Sequence, residues 1–482
     1  METSNPSKEA LVEEGPSEEE EGPVKSDPGH SETLSRVLRT QFESRYNILD
    51  LPTPLNAYMS GRYKQSFAYH TLRSRLPVIL TNVVDTLTRD KSELVAQFAP
   101  HDFEQAAREE LKIIIGLISR LKYEMQTDKP FHNFTGDEPD REAWNTFLSH
   151  LPSAERSFYR GSSLHAECYL HRKLYSFVEN SIFLKSYDFF AKVKEQTLID
   201  CMNDILDLTK HTRRSDNSVE VFADLLKINM WSNSVSSDPQ EAMKQNFKVL
   251  QDVGATDENI VVNDAVEIWN CFENKKQKKL KQVDVILDNT GYELFSDFVL
   301  AEYIIEKDLA SKVRFHVKAH PWFVTDVTER DFRWTLQYLS QHADYMISLM
   351  GKKFLQFLEE GKFELAPISR FWTSPHAFYN MLQTDPDLYA LLQQSKLVIF
   401  KGDLNYRKLL QDVCWNSSQE TSTCLRGFLP TNICMLRRVK SEIICGLKEG
   451  VDQALSKKDP HWKVSGNYGV IQFVDGTREF GY

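Results

Sequence analysis

Val283-Asp284-Val285-Ile286-Leu287-Asp288-Asn289-Thr290-Gly291-Tyr292-Glu293 is the stretch that decides how this chain folds. A short β-branched apolar run stops at a carboxylate and an amide, bends at a glycine, and meets an apolar-periodic segment over residues 294–305. The pattern predicts a strand, a loop and a helix. In an open parallel sheet the residues just past the carboxyl end of a strand line the ligand crevice, so Asp288, Asn289 and Glu293 stand where chemistry usually sits. Capping of the following helix explains Asp288 and Asn289 equally well at this point.

Downstream, short β-branched runs alternate with longer helical patterns. Residues 283–287, 313–317, 397–400 and 469–474 read as strands, and 292–305, 331–339 and 386–394 as helices. The spacing supplies the crossovers that parallel strands need. Upstream the texture is helical: apolar residues recur at helical spacing over 76–87 and 104–125, as in Leu111, Ile114, Ile115, Ile118 and Leu121, and no strand is evident before about residue 250. The expected fold is therefore α/β, with a mostly helical N-terminal subdomain (35–275) packed on an α/β part (276–482).

Residues 1–34 are rich in Glu, Ser, Pro and Gly and hold ten acids against Lys8 and Lys25, so most of the net charge of -11 sits there. Such a stretch cannot bury enough surface to offset its ordering entropy, and it reads as a disordered acidic tail. The remainder is nearly neutral, without the clustered basic surface that nucleic acid requires. The run Lys275-Lys276-Gln277-Lys278-Lys279-Leu280-Lys281 is brief and lacks interleaved aromatics, which favours a solvated linker. Seven scattered cysteines without a CxxC pair read as reduced thiols. The first residues carry acids where a secretory leader would carry a basic and then an apolar segment, and no apolar run approaches the roughly 20 residues that span a bilayer. A soluble protein of the cytoplasm or nucleus, with no nucleic-acid or membrane partner, is the expectation.

Three groups stand at predicted strand ends or in the loops after them: Asp288-Asn289 with Glu293; Asp326, after His320-Pro321-Trp322-Phe323-Val324-Thr325; and Lys401-Gly402-Asp403-Leu404-Asn405-Tyr406-Arg407-Lys408. Parallel strands would point all three into one crevice. Two carboxylates and an amide oxygen make a hard donor set that suits Mg²⁺ or Mn²⁺ better than zinc. Lys401, Arg407 and Lys440 add the cations that phosphate oxygens pair with. Metal plus phosphate points to metal-assisted phosphoester hydrolysis. GxGxxG, Walker A, HExxH and GxSxG motifs are absent. His316 and His320 would share a strand face yet sit too far apart for one ion.

The segments Leu287-Asp288-Asn289-Thr290-Gly291-Tyr292-Glu293-Leu294, Pro321-Trp322-Phe323-Val324-Thr325-Asp326 and Phe400-Lys401-Gly402-Asp403-Leu404-Asn405-Tyr406-Arg407-Lys408-Leu409 resemble the metal-dependent damage-control phosphatases. More closely they are similar to the subgroup also described as protein-glutamate (acidic residue) methyltransferases. The resemblance extends over nearly everything after the tail, including Arg75-Leu76-Pro77-Val78-Ile79-Leu80. It implies a Rossmann-like α/β/α sandwich in which Asp288, Asn289 and Asp326 bind Mn²⁺, with Ni²⁺, Co²⁺ or Mg²⁺ as substitutes. Glu293, Asp403, Leu404, Asn405, Tyr406, Arg407 and Lys440 would join Asp288, Asn289 and Asp326 in contacting a phosphorylated small molecule, such as fructose 1-phosphate or fructose 6-phosphate. The alternative it implies is S-adenosyl-L-methionine-dependent methylation of protein glutamates, for which the chain lacks the usual glycine-rich first loop. One departure stands out: the subgroup's Arg-Thr-x-Lys motif reads Arg437-Arg438-Val439-Lys440 here.

Overall fold

The computed structural model describes residues 41–99, 102–212, 218–232, 257–274 and 281–477. The acidic tail and nearly all of the basic run at 275–281 lie outside the described residues. The chain divides into two units, Met1–Ile48 and Leu49–Tyr482. Of the first, the described part is residues 41–48, which open with a helical turn over 41–45. The second contains the sheet and the helices packed on it.

Seven strands form one sheet: β1 Ile260–Asn263, β2 Gln282–Ile286, β3 Lys312–His316, β4 Phe363–Leu365, β5 Leu397–Lys401, β6 Asn432–Arg438 and β7 Gly469–Val474. Their order is β1-β7-β6-β5-β2-β3-β4, and every pairing is parallel except β6 with β7. The chain runs from β2 outward through β3 to β4, then returns to the other side of β2 as β5. The order thus reverses between β2 and β5, and an open sheet binds its ligand at such a point, outside the carboxyl ends of the strands.

Both faces of the sheet are buried, and successive residues feed opposite cores because side chains alternate along a strand. Val283, Val285, Leu397, Ile399, Cys434 and Leu436 enter one core. Ile286, Val398, Phe400, Ile433 and Met435 enter the other. Asp284 and Arg314, on the second face, are buried as a pair, with Arg314 Nε donating to Asp284 Oδ1 at 2.7 Å. The architecture is α/β with a helical N-terminal part. Three of the strands, β1, β4 and β6, escape the sequence reading, and β1 comes from before residue 276.

The helices that matter to the site are α1 Ser163–Glu179, α2 Val219–Trp231, α3 Tyr292–Glu306, α4 Glu329–Ser340 and α5 Gly402–Leu409. Residues 292–304 of α3 are all buried, so this helix is covered all round rather than amphipathic. The helical part keeps the expected stripe: Leu111, Ile114, Ile118 and Leu121 are buried on the helix Glu104–Gln126. Among the described residues no helix is long and apolar enough to cross a membrane.

Candidate active site

The loop after β2 and the loop after β3 are sewn together by backbone hydrogen bonds. Val327 N donates to Asp288 O at 2.9 Å and Thr290 N to Thr325 O at 2.9 Å, while Lys318 N closes the second loop on itself by donating to Val327 O at 2.8 Å. Asn289 and Asp326 form an isolated antiparallel bridge. Two residues thirty-eight apart in sequence, Asp288 and Asp326, are thereby brought to one place. Side chains add to the seam: Thr325 Oγ1 donates to Asn289 Oδ1 at 2.6 Å, and Lys318 Nζ donates to Leu287 O at 2.7 Å while lying 3.2 Å from Asp326 Oδ2.

Capping does not account for Asp288 and Asn289. The N-cap of α3 is Gly291, at φ 74°, and no side chain caps it. Asn289 Nδ2 instead donates to Asp288 Oδ2 at 2.8 Å and to Glu293 Oε2 at 2.9 Å. The Thr325 hydroxyl accepts as readily as it donates, so the amide turned over keeps its Thr325 bond and offers Oδ1 to a cation beside Asp288.

The electrostatics of this seam are those of crowded acids. Burial, then the charges of Asp326 and Glu293, push the Asp288 carboxyl well above the usual range. Burial pushes Asp326 up to about 6, partly offset by Lys318. Buried carboxylates crowded in this way hold a divalent cation more favourably than they hold uncompensated charge. Among the described residues no three His, Cys, Asp or Glu side chains converge as a metal set. The donors here are two carboxylates and an amide, oxygen-rich as Mn²⁺ and Mg²⁺ prefer.

β5 delivers the opposite wall. Gly402, the first residue of α5, has φ +80°, and a Cβ placed on it would lie 1.8 Å from Asp288 Oδ2. Only glycine fits there, both for its backbone and for its closeness to the carboxylate. The first N–H groups of α5, from Gly402 onward, have no partner within the helix and favour an anion.

Several residues expected to meet substrate are engaged internally. Lys401 Nζ donates to Glu293 Oε1 at 3.1 Å and Asp297 Oδ1 at 2.7 Å, so it neutralises carboxylates of α3. Burial would lower its pKa, but Asp297 and Glu293 outweigh that and raise it. Arg407 Nη2 donates to Glu167 Oε1 at 2.8 Å, and its Nε donates to Asp412 Oδ1 at 2.7 Å. The Asp403 carboxylate lies 2.8 Å from Arg437, whose guanidinium sits 4.2 Å from the Tyr406 ring centroid. Tyr406 belongs to a hydrophobic core, Leu404 is buried, and Asn405 Nδ2 donates to Lys401 O at 2.8 Å. Lys401 and Arg407, expected as the cations of the substrate site, thus lie in buried ion pairs, as a buried cation needs a nearby carboxylate.

Lys440 remains at the crevice. Burial, then Arg438, bring its pKa down to about 8, while Glu293 and Asp288 pull it up. Arg438, at the departure from the resembling motif, donates from Nε to Gly466 O at 2.8 Å and lies 5.6 Å from the Trp231 ring of α2. Lys318 and Asp297 escape the sequence reading as site residues, and Thr325 and Gly402 enter it only within longer stretches, without a role of their own. Lys318 directly follows a predicted strand and Asp297 lies one helical turn beyond Glu293, so both carried a signal.

Comparison with known proteins decides the family. The damage-control phosphatase ARMT1-like domain matches residues 71–455. The chain belongs to this family. Damage-control phosphatase ARMT1 of Xenopus tropicalis is 36% identical over 435 residues, which cover 86% of this chain and 98% of the relative. The human protein of that name is 35% identical over 439 residues, covering 86% and 98%, and that of Danio rerio 33% over 442, covering 87% and 97%. As an ARMT1-like family member the chain is a phosphatase, a hydrolase of metabolite damage control, and the matched residues take in most of the helical part and every strand of the sheet but β7.

Proposed function

We propose that the chain is a metal-dependent phosphatase of small sugar phosphates, fructose 1-phosphate and fructose 6-phosphate among them, with Mn²⁺ held by Asp288, Asn289 and Asp326. The supporting observation is the seam itself: two buried carboxylates, each pushed up by burial, joined beside the point where strand order reverses. When bound, the ion supplies Lewis-acid stabilisation of charge on the phosphoryl group. The chain's own groups do the rest. The N–H groups that open α5 at Gly402, Asp403 and Leu404 receive phosphate oxygens through the backbone, which leaves their side chains to the interior. Lys440 adds a positive charge at the mouth. Lys401 and Asn289 orient Glu293, which faces the sugar.

The test strips the protein of metal and reloads it with Mn²⁺, Ni²⁺, Co²⁺ or Mg²⁺ before a panel of phosphorylated metabolites, reading released phosphate. Release from the fructose phosphates, highest with Mn²⁺, is the expected result. No release from any member with any ion overturns the reading. Methyl transfer to protein glutamates is separated by a methyl-donor consumption assay run beside the screen.

A further inference from the structure

The helical part reaches the seam through one helix face. On α1, residues 167, 171 and 175 are spaced four apart and so lie above one another. Each touches an element that carries part of the candidate active site. His171 is buried and stacks on Phe323, with ring centroids 4.5 Å apart and planes at 26°. Tyr175 stacks on His320 at 4.7 Å and 8°. Glu167 accepts from Arg407 on α5 at 2.8 Å. Asp412, which also binds Arg407, accepts at 2.9 Å from the backbone N–H of Leu164.

The two stacked partners, His320 and Phe323, bracket a strained turn. Phe323 has φ 41° and the β-branched Val324 has φ 72°, left-handed conformations that such residues rarely adopt. Strain of this kind persists only where the surroundings over-determine it. The turn leads straight to the metal-binding acid: Asp326 N donates to Trp322 O at 3.2 Å, and Thr325 N to Phe323 O at 3.0 Å. His171 Nδ1 and Trp322 Nε1 are buried without a hydrogen-bond partner, so the ring faces carry this contact rather than polar bonds.

We propose that α1 is a positioning helix for the reaction: His171 and Tyr175 hold the Phe323–Val324 turn that presents Asp326, while Glu167 holds Arg407 and with it the helix that sets Gly402 against Asp288. The proposal rests on the reading of Asp288, Asn289 and Asp326 as metal ligands. It makes His171 a positioning residue that touches neither ion nor substrate and acts through the ring of Phe323.

The test compares full-length wild type with His171→Ala, His171→Phe and Tyr175→Ala. Mn²⁺ affinity is read by electron paramagnetic resonance, kcat and KM by phosphate release, and amide exchange over residues 322–327 without metal. His171→Ala weakens Mn²⁺ binding and lowers kcat by about 10- to 100-fold with KM little changed, the range for residues that orient metal ligands. It also speeds exchange in the turn but not in β2 or β5. His171→Phe keeps a ring on Phe323 and returns Mn²⁺ affinity and exchange to near wild type. Tyr175 is only half-buried, so Tyr175→Ala remains informative where His171→Ala fails to fold; it shifts the same quantities in the same direction. Wild-type Mn²⁺ affinity and exchange in either alanine variant overturns the proposal, as does a His171→Phe protein no better than His171→Ala. Failure of wild type to bind Mn²⁺ or release phosphate would instead defeat the functional reading, and the exchange measurement still decides the positioning role.

Discussion

Lys440 and Asp288 carry predictions of opposite kind. Burial brings the Lys440 pKa down to about 8, so its charge is present below that pH and lost above it. KM for a phosphorylated substrate therefore rises as pH passes through 8, and Lys440→Met, with no proton to lose, shows a high KM that is flat across the same range. Asp288 is a group whose folded pKa is raised well above its ordinary value of 3.8, by burial and then by Asp326 and Glu293. The metal-free folded state then binds more protons than the unfolded chain from 3.8 upward to the raised value, so its stability falls as pH rises through that window. Asp288→Asn removes the penalty. Metal-free Asp288→Asn is expected to be more stable than wild type at neutral pH by about 1 kcal/mol, with the gain vanishing in acid, as thermal unfolding across pH would show. The same variant loses phosphate release by about a thousandfold or more, the several kcal/mol that a catalytic ion supplies. These acids were legible in sequence because strand ends concentrate chemistry. Lys401 and Arg407 were legible as cations, but Lys401 and its partner Asp297 lie on elements 104 residues apart and Arg407 and its partner Glu167 on elements 240 apart, a proximity that no spacing reveals.

Among the elements, α5 is the least tolerant. Gly402→Ala must accommodate a left-handed backbone, costing about 1–3 kcal/mol, and a methyl group driven into Asp288. Loss of activity in a protein with a lowered unfolding temperature is the expected outcome. Lys401→Met leaves Glu293 and Asp297 buried without their cation, which costs about 3–5 kcal/mol and is measurable by denaturant unfolding. Strands β2, β3, β5 and β7 were readable as short runs rich in β-branched and aromatic residues; only β5 is a nearly continuous apolar run, the mark of a strand covered on both faces, while Asp284 and Arg314 interrupt β2 and β3. β4 was missed because Phe363-Glu364-Leu365 is too short to show a period. β6 was missed because Asn432 opens it and Arg437 and Arg438 close it, and these polar residues are buried only through partners brought by other segments.

At the scale of the whole chain, sheet order is what sequence could not supply. β7 inserts between β1 and β6 and runs against β6, a choice made by packing between segments some two hundred residues apart. Yet the reversal of order between β2 and β5 puts Asp288 beside Gly402, and that is why the first stretch read from the sequence lies at the centre of the site. The helical part joins it through α1, so sheet and helices make one catalytic unit. The central claim is that Asp288 and Asp326 together hold the ion on which phosphate release depends. It is tested most directly by titrating metal-stripped wild type and Asp326→Ala with Mn²⁺, reading bound ion and release from fructose 1-phosphate in the same samples. Saturable binding by wild type with release rising in step, and neither in Asp326→Ala, is the predicted result. Release by wild type that does not depend on Mn²⁺, or binding and release retained by Asp326→Ala, would contradict it.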